Sequence, residues 1–126
     1  MTEPVTPAPG ARAILLVEDE PAVRQLFASA LQRAGYLVHQ ARSGEEAVSL
    51  FEACPAIDLL LTDIRMPEMS GLELVRQLSA RAPALKVICI SGYPGAGTDP
   101  PIPHHYLAKP FSRADLLAKV REVLGA

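Results

Sequence analysis

Only two cysteines occur in the 126 residues, and Cys54 and Cys89 stand too far apart to form the close pair of a zinc or redox motif. Both are read as reduced, small core hydrophobes, which argues for a reducing compartment and places the protein in the cytoplasm. The first dozen residues, MTEPVTPAPGAR, hold no apolar run of the kind a secretory signal requires. No later stretch approaches the length needed to span a bilayer, so membrane insertion is not expected. Basic residues are dispersed and the net charge is −2, which leaves no electrostatic footprint for nucleic acid or an anionic membrane. A direct nucleic-acid partner is not expected, and no internal repeat is evident.

Apolar residues make up 49% of the chain and charged residues 21%, a balance that supports a packed core and excludes general disorder. At this length one domain is expected. Three prolines and a glycine crowd the first ten residues, so 1–12 reads as a flexible, extended lead-in and 13–126 as the domain. The run AILLV, 13–17, reads as a strand. After it Val23, Leu26, Phe27, Ala30, Leu31 and Ala34 recur at the helical period, with Pro21 in the first turn and Gly35 as the stop. A more polar strand follows over 36–41. SGEE, 43–46, has the serine-to-glutamate spacing of a capping box and opens a helix with Ala47, Leu50, Phe51 and Cys54 inward, closed by Pro55.

A third strand is expected over 58–62 and a helix over 71–81 with Leu74, Val75 and Leu78 inward; a fourth strand covers 85–91. Residues 92–105 hold four prolines and three glycines, so they read as loop with at most one or two helical turns. YLAK, 106–109, is a brief fifth strand, and Ser112 caps a last helix carrying Leu116, Leu117, Val120, Val123 and Leu124 inward. Strands alternating with helices predict an α/β fold: a doubly wound, five-stranded parallel sheet covered by helices on both faces.

Sites in open parallel sheets form outside the carboxyl ends of the strands. Here the first strand exits into Glu18, Asp19 and Glu20, the third into Asp63, the fourth into Ser91 and the fifth into Lys109. Acids and serines often follow strands merely to cap turns. Asp63 departs from that pattern, because Pro67 and Gly71 mark the segment after it as loop. If Asp19 and Asp63 converge with Glu18 close by, two carboxylates about 4 Å apart repel by roughly 4 kcal/mol at an effective dielectric near 20. Lys109 offsets part of this, and a divalent cation bound by hard oxygen ligands, of which Mg²⁺ fits best, would offset the rest. A carboxylate so placed, with the Ser91 hydroxyl nearby, has the parts needed to attack phosphorus and become an aspartyl phosphate.

At these residues the chain resembles a receiver domain of the two-component response-regulator family, in the flavodoxin-like fold. The likeness spans about 13–124 and rests on four motifs in order: LLVEDE, LLLTDIRMPEMSGLEL, VICISGY and YLAKPF. It implies that Asp63 is the phosphoacceptor, that Glu18 and Asp19 form an acidic pocket, and that Asp19, Asp63 and the Arg65 carbonyl bind Mg²⁺, with Glu18 acting through water. It further implies that Ser91 and Lys109 contact the phosphoryl group, and that Ser91 and Tyr106 relay the switch. Arg65 and Tyr93 occupy positions that tune the acyl-phosphate lifetime, and the Lys109–Pro110 bond is expected to be cis. The implied partner is a histidine kinase or a histidine phosphotransfer protein. A domain of this kind catalyses only its own phosphoryl transfer and dephosphorylation.

One departure concerns the stretch between Ser91 and Lys109, which is shorter than the family pattern, so the helix between the fourth and fifth strands is expected to be short or absent. That helix helps form the family's signalling face. The chain ends directly after its last helix, which suits a stand-alone receiver acting by contact, or the C-terminal receiver of a hybrid histidine kinase. His104 and His105 sit in a proline-rich loop without ligand-spaced acidic or cysteine partners and are expected to be solvated loop residues, and no phosphorelay role is assigned to these or to His39. A phosphate-independent binding module of the same fold is the main alternative. A flavodoxin-like redox protein is disfavoured by three acids where a flavin phosphate needs donors. An aspartate-based phosphatase lacks its second aspartate, since Arg65 stands two residues beyond Asp63.

Overall fold

Short apolar runs separated by helix-period segments build one sheet in the computed structural model, which describes residues 11–54, 56–66, 68–91 and 105–125. The elements in chain order are β1 (Ala13–Val17), α1 (Pro21–Arg33), β2 (Leu37–Ala41), α2 (Gly44–Ala53), β3 (Leu59–Asp63), α3 (Gly71–Arg81), β4 (Lys86–Ser91), β5 (His105–Ala108) and α4 (Arg113–Leu124). All four strand pairings are parallel, in the order β2-β1-β3-β4-β5. This is the expected doubly wound sheet. The position of a helix between β4 and β5 falls on residues 92–104, outside the described residues, as do the lead-in over 1–10, Tyr93 and His104.

The central strands β1 and β3 are buried along their whole length, because helices cover both faces and each alternate side chain enters a different core. Leu15, Val17, Leu60 and Cys89 pack with Phe51, Leu74 and Leu78 of α2 and α3. Ile14, Leu16, Leu61 and Ile90 pack on the opposite face with Leu31 of α1 and Leu116 and Val120 of α4. Burial pushes the Cys89 thiol up to about 12, so it behaves as the inert core hydrophobe expected of it.

Several local expectations are corrected. On α1 Ala30 and Leu31 are buried and Phe27 packs against the core as the period suggests, but Leu26 is 56% exposed and Ala34 is also exposed, while Ala28 is buried. At α2 the Ser43 hydroxyl accepts from the Glu46 N–H, but the Glu46 carboxylate accepts from the Arg42 N–H one residue further out. The reciprocal capping box is instead complete at α4, between Ser112 and Asp115. Asp58 precedes β3 rather than opening it, and its carboxylate accepts from the Ala13 N–H at 2.8 Å. His105 is not a loop residue but the first of β5, in register with Ile88.

Gly71 matters for placing the end of β3. Its N–H donates to the Ile64 carbonyl at 2.9 Å, and a Cβ there would overlap the Asp63 carbonyl oxygen and lie 2.8 Å from Ile64 Cα. Both obstacles are backbone, so neither can rotate aside. Gly71→Ala should therefore destabilise the fold by about 2 kcal/mol, within the usual range for overpacking. Urea denaturation checks this; an unchanged midpoint would mean that α3 does not press on β3.

Candidate functional site

The parallel register brings the strand ends to one edge. Val17 pairs with Thr62, Asp63 with Ile90 and Ser91 with Ala108, so the residues that follow β1 lie beside the last residue of β3, and the residue that follows β5 lies at the same edge, across β4. Each tip is tied by backbone bonds: the Glu18 N–H donates to the Ala41 carbonyl at 3.1 Å and the Ile64 N–H to the Ile90 carbonyl at 3.0 Å. The Thr62 hydroxyl donates to the Asp63 carbonyl at 3.0 Å.

Glu18, Asp19, Asp63 and Lys109 come together at this edge. Lys109 Nζ donates to Asp63 Oδ2 at 2.9 Å and lies 3.7 Å from Glu18 Oε2. Asp63 Oδ1 accepts from the Arg65 N–H at 3.0 Å, and Glu18 Oε1 from the Glu20 N–H at 3.3 Å. Glu18 and Asp63 are buried, at 2% and 6% exposure, whereas Asp19 is exposed. The Lys109–Pro110 bond is cis, as expected. Ser91 is the last residue of β4, and Tyr106 lies on β5 at 38% exposure, separated from β3 by β4.

Burial, reinforced by the negative charge of Asp63, pushes the Glu18 carboxyl up to about 7 against the pull of Lys109. Lys109 itself is drawn down by burial, but its hydrogen bond to Asp63 and the charges of Asp63, Glu18 and Asp19 outweigh that and hold its pKa above the ordinary value. One lysine thus faces three acids.

Carboxylate oxygens of Glu18, Asp19 and Asp63 all lie within 4.8 Å of one another, a spacing that could hold a metal ion. Glu18 Oε2 is buried without a hydrogen-bond partner, a costly condition that a bound cation or its water would relieve. The donors are all hard oxygens, which fits Mg²⁺.

Two contributors escaped the sequence reading. Gly71 reads as a loop signal and a helix start, without its close approach to the end of β3. Arg24, on the first turns of α1, donates from Nη1 to the Glu18 carbonyl at 2.8 Å, and a bond to a backbone carbonyl has no residue pattern by which to find it.

Comparison with known proteins agrees with the geometry. The chain belongs to the response regulator receiver domain family, whose model matches residues 14–121. It is 37% identical over 119 residues to the response regulator receiver protein CpdR of Brucella abortus, covering 91% of this chain and 98% of that one. It is 40% identical over 127 residues to the sensor kinase CckA of the same organism, covering 97% of this chain but 13% of the kinase's length. A response regulator receiver protein from Sinorhizobium medicae superposes with a TM-score of 0.83 at 31% identity, covering 94% of this chain and 98% of that one. The chain is accordingly a two-component signalling domain. No helix among the described residues is long and apolar enough to cross a membrane.

Glu18 makes stability depend on pH. Its carboxyl titrates at 4.5 ordinarily and at about 7 in the fold, so the stability contributed by its protonated form is fully present below 4.5 and is lost as pH rises to about 7. In EDTA, urea midpoints of the wild-type chain should fall relative to those of Glu18→Gln across that window. Parallel profiles would contradict the burial of the Glu18 carboxyl beside Asp63.

Proposed function

We propose that the chain is a phosphorylatable switch of a two-component phosphorelay, taking a phosphoryl group on Asp63 from the phosphohistidine of a histidine kinase or histidine phosphotransfer protein. The observation that carries this reading is the Asp63 carboxylate at a rigid strand tip, held between the Lys109 ammonium at 2.9 Å and the Arg65 N–H at 3.0 Å. A carboxylate so oriented is a nucleophile with its charge partner already in place. An Asp63 oxygen forms the new O–P bond as the N–P bond of phosphohistidine breaks, and the electron pair leaves with the imidazole nitrogen. Attack by water on phosphorus later returns the carboxylate and inorganic phosphate.

Asp19, Asp63 and the Arg65 carbonyl, with Glu18 through water, would hold Mg²⁺, whose charge would neutralise phosphoryl oxygens during transfer. Lys109 stabilises one of those oxygens directly, and the Ser91 hydroxyl donates a hydrogen bond to another. Ser91 and Tyr106 then alter the partner-binding surface, while Arg65 and Tyr93 set the lifetime of the acyl phosphate. The site acts in the cytoplasm. The likeness to CpdR supports a stand-alone receiver, and the likeness to CckA supports a receiver carried by a kinase. The chemistry at Asp63 is the same in either setting.

Intact-mass analysis after incubation with phosphoramidate and Mg²⁺ tests the proposal. The wild-type chain should gain one phosphoryl group and Asp63→Asn none. Lys109→Ala should react slower by about a hundredfold, the usual cost of removing one preorganised charge stabiliser. A wild-type chain left unmodified would mark a phosphate-independent binding module of the same fold.

A further inference from the structure

Arg24 occupies an electrostatically poor position. It lies in the N-terminal part of α1, where the helix dipole disfavours a cation. Glu18, Asp19 and Glu20 are close in sequence, yet among the described residues Arg24 forms no ion pair. Its guanidinium instead donates to the Glu18 carbonyl at 2.8 Å. The start of α1 has no side-chain cap from Glu20, so this bond and the one from the Glu20 N–H to Glu18 Oε1 are what fasten the turn. On the strand side the Glu18 N–H is fixed to Ala41, and on the helix side the Glu20 carbonyl accepts from the Arg24 N–H at 2.9 Å. Asp19 is exposed between these two anchored neighbours.

We infer that Arg24 is a positioning residue for the divalent-cation site, acting through the Glu18 carbonyl to hold Asp19 and Glu18 toward Asp63. The inference rests on the proposed Mg²⁺ site. It makes a prediction opposite in sign to the effect of charge alone: removing a nearby cation should strengthen Mg²⁺ binding, whereas releasing the turn should weaken it.

Isothermal titration of the whole chain with Mg²⁺, without phosphodonor, separates the two. Arg24→Met should raise the dissociation constant by about tenfold, the scale on which outer partners of a metal site act. Arg24→Lys, which keeps the charge and one donor, should fall between Arg24→Met and wild type. An unchanged or tighter Arg24→Met overturns the inference and leaves the cation site standing, whereas a wild-type chain that does not bind Mg²⁺ overturns both. A purely structural role would lower the urea midpoint equally with and without Mg²⁺ and leave the dissociation constant unmoved, which also refutes it. Should Arg24→Met not fold, Arg24→Lys decides alone: weaker binding supports the inference, and wild-type affinity overturns it.

Discussion

Three acids and one lysine meet where parallel strands end, and the charge left over among them governs the rest of the structure. Lys109 satisfies Asp63 directly, but it stands 3.7 Å from Glu18, whose second oxygen is buried without a hydrogen bond. Water cannot screen like charges well at a buried edge, so the arrangement persists only because the frame around it does not yield. Leu59, Leu60 and Leu61 are fully buried, and this strand carries Asp63 on its last residue. A fully buried strand thereby carries Asp63 to the edge where Glu18 is left short of a partner.

The frame reaches the site through backbone contacts more than through side chains. Glu18 is tied to β2 by its N–H and to α1 by its carbonyl, Ile64 is tied to β4, and Gly71 brings α3 against the end of β3. Preorganisation of this kind means that the carboxylates need not be gathered when a cation or a phosphoryl group arrives. Apolar packing on both sheet faces supplies the stiffness, and turns at a single edge supply the chemistry.

Much of this was legible in the sequence because its signals are local or periodic. Alternation and helical spacing located β1 to β4 and the inward faces of α3 and α4, and Ser112 announced its cap. Reading the strand exits singled out Glu18, Asp19, Asp63 and Lys109, which do converge. What escaped depends on tertiary register. Leu26 fits the helical period yet faces out, since the sheet, not the helix, decides which arc of α1 is covered. Glu46 has the spacing of a capping box, but Arg42 offers its N–H instead. The roles of Arg24 and Gly71 lie in contacts with backbone atoms, which every residue possesses and no motif encodes.

The claim underlying this account is that the strand-tip acids form one cation site. Anomalous diffraction from crystals grown with Mn²⁺ as a Mg²⁺ substitute tests it most directly. The account predicts a single strong peak within coordination distance of the Asp19 and Asp63 carboxylates. A map with no peak there, or with its only peak at acids elsewhere on the surface, would contradict it.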